Sequence, residues 1–406
     1  MMLRLLGSRF LSSIADQFLL FAVPLIIYKT TGSAALTGLA FGVEWLPRVI
    51  SLPIAGVLSD RLGSRKVFLT ADLVRAAACV AGFLAWRQFS GEHGFLILTA
   101  MSGVVAFFYA QGFIALEASL PRILPVSELP KIQAWFQGID QLSSIAGPLI
   151  ASILALALSS EHLILAAGAM FSVAFLTNLG LPEIASGADS SRKPASIRED
   201  LALALGHVRN RPELVRLIGY TVIVNLMYGA SRALSAPMTT GTFGMSDQHF
   251  GLLNAISGGV TLAVLAAVPW LTSRLRFALF GALSFLLIVL SSAATGLAPG
   301  GVIGFAIFAA AIALLNGGDA LFNVYIRTER AKVIPKEDMG KTIGLIVCIN
   351  QLSIPLSGFM IARLAPMLGN SGTMLAITAA SIALSVAIWL KGRAYEVART
   401  APNSVS

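Results

Sequence analysis

The sequence predicts an all-α membrane protein, with twelve transmembrane helices in two parallel, pseudo-symmetric six-helix bundles. Three observations predict it. Of the 406 residues, 56% are hydrophobic and only 12% charged, about half the charged share of a soluble domain, and the mean hydropathy is +0.81. Apolar runs of about 20 residues, the length that crosses a bilayer, recur twelve times. The first half of the chain also echoes the second at a nearly constant offset.

The runs fall near 8–28, 34–58, 67–87, 95–117, 132–158 and 162–181, then near 214–236, 250–271, 277–297, 301–325, 342–364 and 371–391. The first has the basic start of a signal peptide. Asp16 and Gln17 interrupt it and no convincing small-x-small cleavage site follows, so a retained first helix is expected. The intervening polar stretch contains Ser186, Gly187, Asp189 and Pro194, then a segment near 196–210 with Leu201, Leu205 and Val208 on one face. A linker helix lying on the membrane surface is expected there. The organisation is thus an N-terminal bundle over 1–182, a cytoplasmic linker with an amphipathic helix over 183–213, a C-terminal bundle over 214–392 and a cytoplasmic tail over 393–406.

Charge sets the expected orientation. Of the 29 Lys and Arg residues, Lys29, Arg87 and Arg363 fall on one side and Arg48 and Arg232 within spans, leaving about 24 for the loops and ends on the side of the termini. Basic loops stay cytoplasmic, so both termini are expected inside. Facing anionic lipid, they also account for the net charge of +9 without a nucleic-acid partner.

The internal repeat is read from four matches in chain order. Ile139-Asp140-Gln141-Leu142-Ser143 recurs as Ile349-Asn350-Gln351-Leu352-Ser353, and Arg122-Ile123-Leu124-Pro125 faces Lys332-Val333-Ile334-Pro335. Thr30-Thr31-Gly32 recurs as Thr239-Thr240-Gly241, and Ser59-Asp60-Arg61-Leu62 as Thr272-Ser273-Arg274-Leu275. Six spans return the chain to its starting side, so the halves are parallel repeats about an axis along the membrane normal. In such folds the ligand site lies between the halves near mid-depth.

Ionisable residues inside a membrane are costly and point to function. Asp16 and Glu44 fall near mid-depth, and Arg48, four residues after Glu44, can pair with it on one helix face. The repeat sets Asn225, Ser257 and Thr261 opposite Asp16, Glu44 and Arg48, so this charge belongs to the first half. Cavity lining is the reading for Gln17, Gln111, Asp140, Gln141, Asn225, Tyr228, Asp319, Asn323 and Gln351, with interhelical hydrogen bonding or inner-gate contacts as the competing one. Arg232 is divided between attracting an anion and snorkelling to the interface.

Other chemistries find little support. Gly340-Lys341-Thr342 resembles the end of a phosphate loop, but Pro335 stands where its first glycine is required. No ATPase partner or cofactor is expected. Cys79 and Cys348 are isolated, and His93, His162, His207 and His249 fall in loops or the linker, so no metal is expected. No nucleophile–base constellation suggests an enzyme.

Residues 56–66 read G-V-L-S-D-R-L-G-S-R-K. The run resembles the signature loop of the major facilitator superfamily, matching at Gly56, Asp60, Arg61, Gly63, Arg65 and Lys66. The resemblance implies an inner gate whose charge network stabilises the outward-facing state. Gly147-Pro148 in span five matches a packing motif of the superfamily's exporters, although Ala151 and Ser152 replace its paired glycines. Tyr28 to Ser33, Leu46-Pro47-Arg48 and Leu120-Pro121 resemble the branch of enterobactin exporters and macrolide-efflux proteins. What this implies is a monomeric, multi-pass antiporter of a bacterial inner membrane, embedded in the lipid bilayer. It would exchange a small organic molecule, a siderophore or a drug, for protons, with Asp16, Glu44 and Arg48 as proton-coupling or substrate residues. Import or metal-ion export on the same fold, and a non-transporting sensor or scaffold, are the alternatives.

Overall fold

The computed structural model describes residues 2–89, 93–123, 129–180, 205–206, 208–334 and 339–400. Six helices form the first half: α1 (Met2–Thr31), α2 (Ala34–Leu62), α3 (Ser64–Phe89), α4 (Gly94–Ile123), α5 (Leu129–Ala157) and α6 (His162–Leu179). The second half holds α7 (Pro212–Ala236), extended by a π-helical turn over Pro237–Thr242, and α8 (Asp247–Ala266), extended by Val268–Arg274. Then come α9 (Phe277–Leu297), α10 (Gly301–Val333) and one helical stretch, Met339–Thr400. Gly369, at φ 67, breaks that stretch into α11 (339–368) and α12 (370–400); this left-handed backbone is open to glycine at no steric cost. Among the described residues, ten segments are long and apolar enough to cross a membrane. The last of them spans the Gly369 break and counts twice, and α5 brings the total to twelve. Most of the 183–213 linker, the 401–406 end of the tail and His207 lie outside the described residues.

Several helices outrun the apolar stretches that predict them. Helix α1 covers 2–31 rather than 8–28, and α4 ends at Ile123 rather than near 117. Apolar composition reports the hydrocarbon core, whereas backbone hydrogen bonding carries a helix on through the headgroup layer. The basic-residue count also needs correcting. Arg9, Arg75 and Arg330 are buried at 7%, 2% and 8% exposure, so three cations assigned to loops lie inside the bundles.

Each half packs alike. In the first, α1 lies against α5 and α6, α2 against α4, and α3 against α4 and α6; in the second, α8 pairs with α10, and α9 with α10 and the last helical stretch. The halves meet along two seams, α2 on α11 and α5 on α8, which exchange under the two-fold. Small residues permit the approach, as expected where lipid removes the hydrophobic drive and van der Waals packing must hold helices together. Gly38 faces Gly358 and Ile361, Gly42 faces Phe359, and Gly258 faces Ile145.

Those contacts lie in the half of the bundle away from the chain termini. There Phe21 stacks on Phe250 with centroids 5.0 Å apart, and Lys29 at the end of α1 meets Asp247 at the start of α8 at 2.5 Å. Tyr28 lies over Gly241, where a Cβ would strike its hydroxyl oxygen. The face opposite the termini is therefore closed between the halves.

Candidate functional site

A cavity of about 510 Å³ lies between the halves. The first half supplies Gln17 from α1, Trp45 and Arg48 from α2 and Ser144 from α5; the second supplies Tyr228 and Arg232 from α7, Asn254, Ser257 and Thr261 from α8, and Asn316, Asp319, Asn323 and Arg327 from α10. Arg327 and Asn323 sit toward the termini end of α10, and Arg232 and Asn254 toward the opposite end, so the cavity runs from the termini face to the closed side. A larger cavity, about 890 Å³, lies wholly within the second half among α7, α9, α10 and α12 and away from the seams. Its lining residues all come from the second half, so it does not lie on a path between the halves.

Five of the residues read from sequence as cavity or coupling groups line the central cavity: Gln17, Arg48, Tyr228, Asp319 and Asn323. Asn323 caps back within its own helix, its amide donating to the Asp319 carbonyl at 2.9 Å, and Asp319 Oδ1 is buried without a hydrogen-bond partner. Arg232 donates to Asn254 Oδ1 at 3.2 Å and faces the cavity rather than the membrane interface.

Other sequence candidates point elsewhere. Gln111 is buried and donates to Ser51 Oγ at 2.8 Å, tying α4 to α2. Asn225 donates to the Asn350 carbonyl at 2.9 Å, tying α7 to α11. Asp140 accepts two bonds from Arg9 Nη2, both 2.8 Å, and one from Ser13 at 3.0 Å. That fixes α1 to α5 instead of lining the cavity, and Gln351 does not line it either. The side chain of Gln141 is outside the described residues.

Glu44 is buried at 6% exposure, yet it does not pair with Arg48. The Arg48 guanidinium stacks on Tyr109 at 4.2 Å and on Trp45 at 4.9 Å. The i,i+4 spacing does bring the two residues to one helix face. The aromatic slot between α2 and α4 then competes for the cation through its π-faces.

Asp16 does have a partner. Arg75 Nη2 of α3 reaches Asp16 Oδ1 at 2.5 Å, and Arg75 Nη1 bonds Ser12 Oγ at 2.9 Å and lies 3.5 Å from Asp72 Oδ1. Asn178 of α6 donates to Asp72 Oδ2 at 3.3 Å. The Arg75 guanidinium also lies 3.8 Å from the Phe171 ring centroid. Around this network only about 30 Å³ stays open. Sequence reasoning missed Arg9, Asp72, Arg75 and Asn178. The signal for Asp72 and Arg75 was the acid–base pair at i,i+3 in T-A-D-L-V-R-A-A, inside a run otherwise apolar enough to span.

Two helical halves enclose a cleft, and the sequence profile of the Major Facilitator Superfamily matches residues 5–358. The chain belongs to that superfamily. It is therefore a multi-pass membrane transporter and not an enzyme. Among relatives of the same superfamily, macrolide efflux protein A of Streptococcus pyogenes is 23% identical over 362 residues, covering 88% of this chain and 87% of the relative. The multidrug efflux pump Tap of Mycobacterium tuberculosis is 22% identical over 382 residues, covering 92% and 89%.

Solved superfamily structures share the fold. The nucleoside transporter NupG superposes with a TM-score of 0.77 at 16% identity, over 96% of this chain and 98% of that one. A bacterial homologue of the iron transporter ferroportin, in an inward-facing state, gives 0.73 at 16% identity over 96% and 98%. In the superfamily's signature loop, Gly63 makes the turn between α2 and α3 at φ 87, Arg65 Nη2 donates to the Leu179 carbonyl of α6 at 2.7 Å, and Lys66 is exposed. The side chains of Asp60 and Arg61, and the packing of Gly56, are outside the described residues. In the span-five motif, Gly147 lets α5 close on α1, because a Cβ there would overlap Gln17. Pro148 is buried within the same helix.

Proposed function

We propose that this transporter exports a small organic molecule, a siderophore or drug, across the inner membrane of a bacterium in exchange for protons, by alternating access. The observation that carries it is the cavity between the halves, open toward the termini face and sealed at the other by Lys29–Asp247, Phe21–Phe250 and the Gly38–Gly358 approach. With both termini in the cytoplasm, as the basic loops argue, this is the inward-facing state that loads cargo from the cell. Relatives named as macrolide and multidrug efflux proteins support the direction.

The cavity supports an organic cargo. It has the size of a small-molecule site, two aromatic side chains in Trp45 and Tyr228, and four amide side chains from three helices to fix polar atoms. The proton-carrying role goes to the buried carboxylates Asp16 and Glu44, which move with the first half as the halves rock.

Reconstitution into liposomes tests this directly. Adding a siderophore and drug panel to wild type, Asp16→Asn and Glu44→Gln, a pH-sensitive dye should report proton movement with one compound, lost in at least one variant. Transport of a compound with no accompanying proton flux would end the antiport reading.

A further inference from the structure

The charges lining the central cavity are strongly unbalanced. Among the described residues three guanidiniums reach it, Arg327 near the mouth, Arg48 in the middle and Arg232 toward the closed end, against the one carboxylate of Asp319. Glu44, buried behind the wall one turn before Arg48, adds a second negative charge, and the balance stays positive. Other described acids inside the first half are taken: the buried Asp16 and Asp72 share Arg75, and the half-buried Asp140 holds Arg9.

None of the three cavity arginines meets a carboxylate within ion-pairing distance among the described residues. Arg232 rests on the neutral oxygen of Asn254. Arg48 lies between two aromatic rings, and its Nε is buried with no hydrogen-bond partner. Partly buried cations left without an anion, as Arg48 and Arg232 are, are expensive in a bundle interior, and a cleft that keeps both, with the exposed Arg327 at its mouth, has a vacancy for negative charge. Low-dielectric walls also focus such a field into the cleft.

We infer that the cargo is an aromatic organic anion, carrying one or two carboxylate or phenolate oxygens. Arg232 and Arg48 bind the oxyanions and the faces of Trp45 and Tyr228 cover the ring. The fork of a guanidinium suits a carboxylate or a paired phenolate better than a point cation does. Amides at Gln17, Asn254 and Asn316 complete the donor set. Arg327 at the mouth draws the anion in. This inference rests on the cavity being the cargo site, and it departs from what a cationic drug would require, namely an excess of carboxylates.

Two xanthene dyes of like shape and opposite charge make the test: fluorescein, an anion, and rhodamine 123, a cation. Equilibrium binding to the purified full chain in nanodiscs is read by fluorescence anisotropy, with no need for transport. Fluorescein is expected to bind at least about tenfold tighter, the scale of one charged hydrogen bond. Arg232→Gln should weaken fluorescein by a similar factor and leave rhodamine 123 unchanged or improved. Arg327→Gln, on an exposed side chain at the mouth, should do so more mildly and keeps the test independent of a folding defect.

Equal or tighter binding of rhodamine 123, no binding of fluorescein, or monodisperse arginine variants with unchanged fluorescein affinity would each overturn the inference. Dye efflux from vesicles then separates the two readings. Anion-selective binding without export leaves this site standing and removes the export reading, whereas export without anion preference does the reverse.

Discussion

Asp16 of α1 and Arg75 of α3 meet at 2.5 Å with only 5% and 2% of each residue exposed, so the first half is held together by an ion pair away from water. Removing one partner of such a pair leaves an uncompensated buried charge, at about 3–5 kcal/mol. Arg75→Gln should therefore lower the thermal midpoint sharply in detergent. The double variant Asp16→Asn/Arg75→Gln should recover much of the loss, since Asp16 is then no longer a charge without its partner, while Asp72 keeps the neutral donors Ser12 and Asn178. A double variant as unstable as Arg75→Gln would show that the pair is not the energetic unit.

Asp72 stands one step out from that pair. Counting Asp16, Asp72 and Asp140 against Arg9 and Arg75 leaves one carboxylate more than the guanidiniums can neutralise, and Asp72 is the one supported mainly by the neutral donors Ser12 and Asn178. Asp72→Asn should keep stability close to wild type, since its amide oxygen can still accept from Asn178 and its NH2 can donate to the Ser12 hydroxyl oxygen, reversing that bond. Thermal midpoints of Asp72→Asn and Asp16→Asn compared side by side check this, the second expected to fall much further. Equal losses would mean that Asp72 carries its charge at full strength in the ground state.

Much of this architecture was legible in the residues before any coordinates, and the rest was not, for a physical reason. Span number, the two-fold repeat and the signature loop all follow from apolar run length and from glycines and charges at fixed spacing. The rotation of each helix about its axis does not. In a bilayer the lipid-facing and protein-facing sides are equally apolar, so periodicity says little about which polar side chain faces the cavity. Gln111 and Asn225 look like cavity residues in sequence and turn out to join helices, while Tyr228, Asp319 and Asn323, with the same credentials, line the cleft. Glu44 and Arg48 satisfied a helical pairing rule, but Tyr109, 61 positions from Arg48 in sequence and beside it in space, decided the outcome.

The stacking of Arg48 gives its own prediction. A guanidinium between two rings gains from its planarity, which an ammonium lacks. Arg48→Lys should therefore behave as a real change. It is expected to cost about 1 kcal/mol of stability, the scale of a partly desolvated cation–π contact, and Tyr109→Leu should cost a similar amount. Combining the two should cost less than their sum. Strict additivity in thermal or denaturant unfolding would show that Arg48 and Tyr109 do not act together.

The seal on the closed face combines a weak part with a strong one. Lys29 is 48% exposed where it meets Asp247, and a pair so open to water contributes no more than about 1 kcal/mol and weakens with salt. The α2–α11 seam is different, because a Cβ at Gly38 would lie 2.6 Å from Ile361 Cγ2 and 3.0 Å from the Gly358 carbonyl oxygen. Asp247→Asn should thus shift the population of the opened face by at most about fivefold, and high salt should mimic it in wild type. Gly38→Val should wedge the seam apart and favour opening at any salt. Spin-label distances between the end of α1 and the start of α8, measured in nanodiscs at low and high salt, distinguish the two effects. If Gly38→Val leaves the distance distribution of a well-folded protein unchanged, the close approach of α2 and α11 is not what holds that face shut.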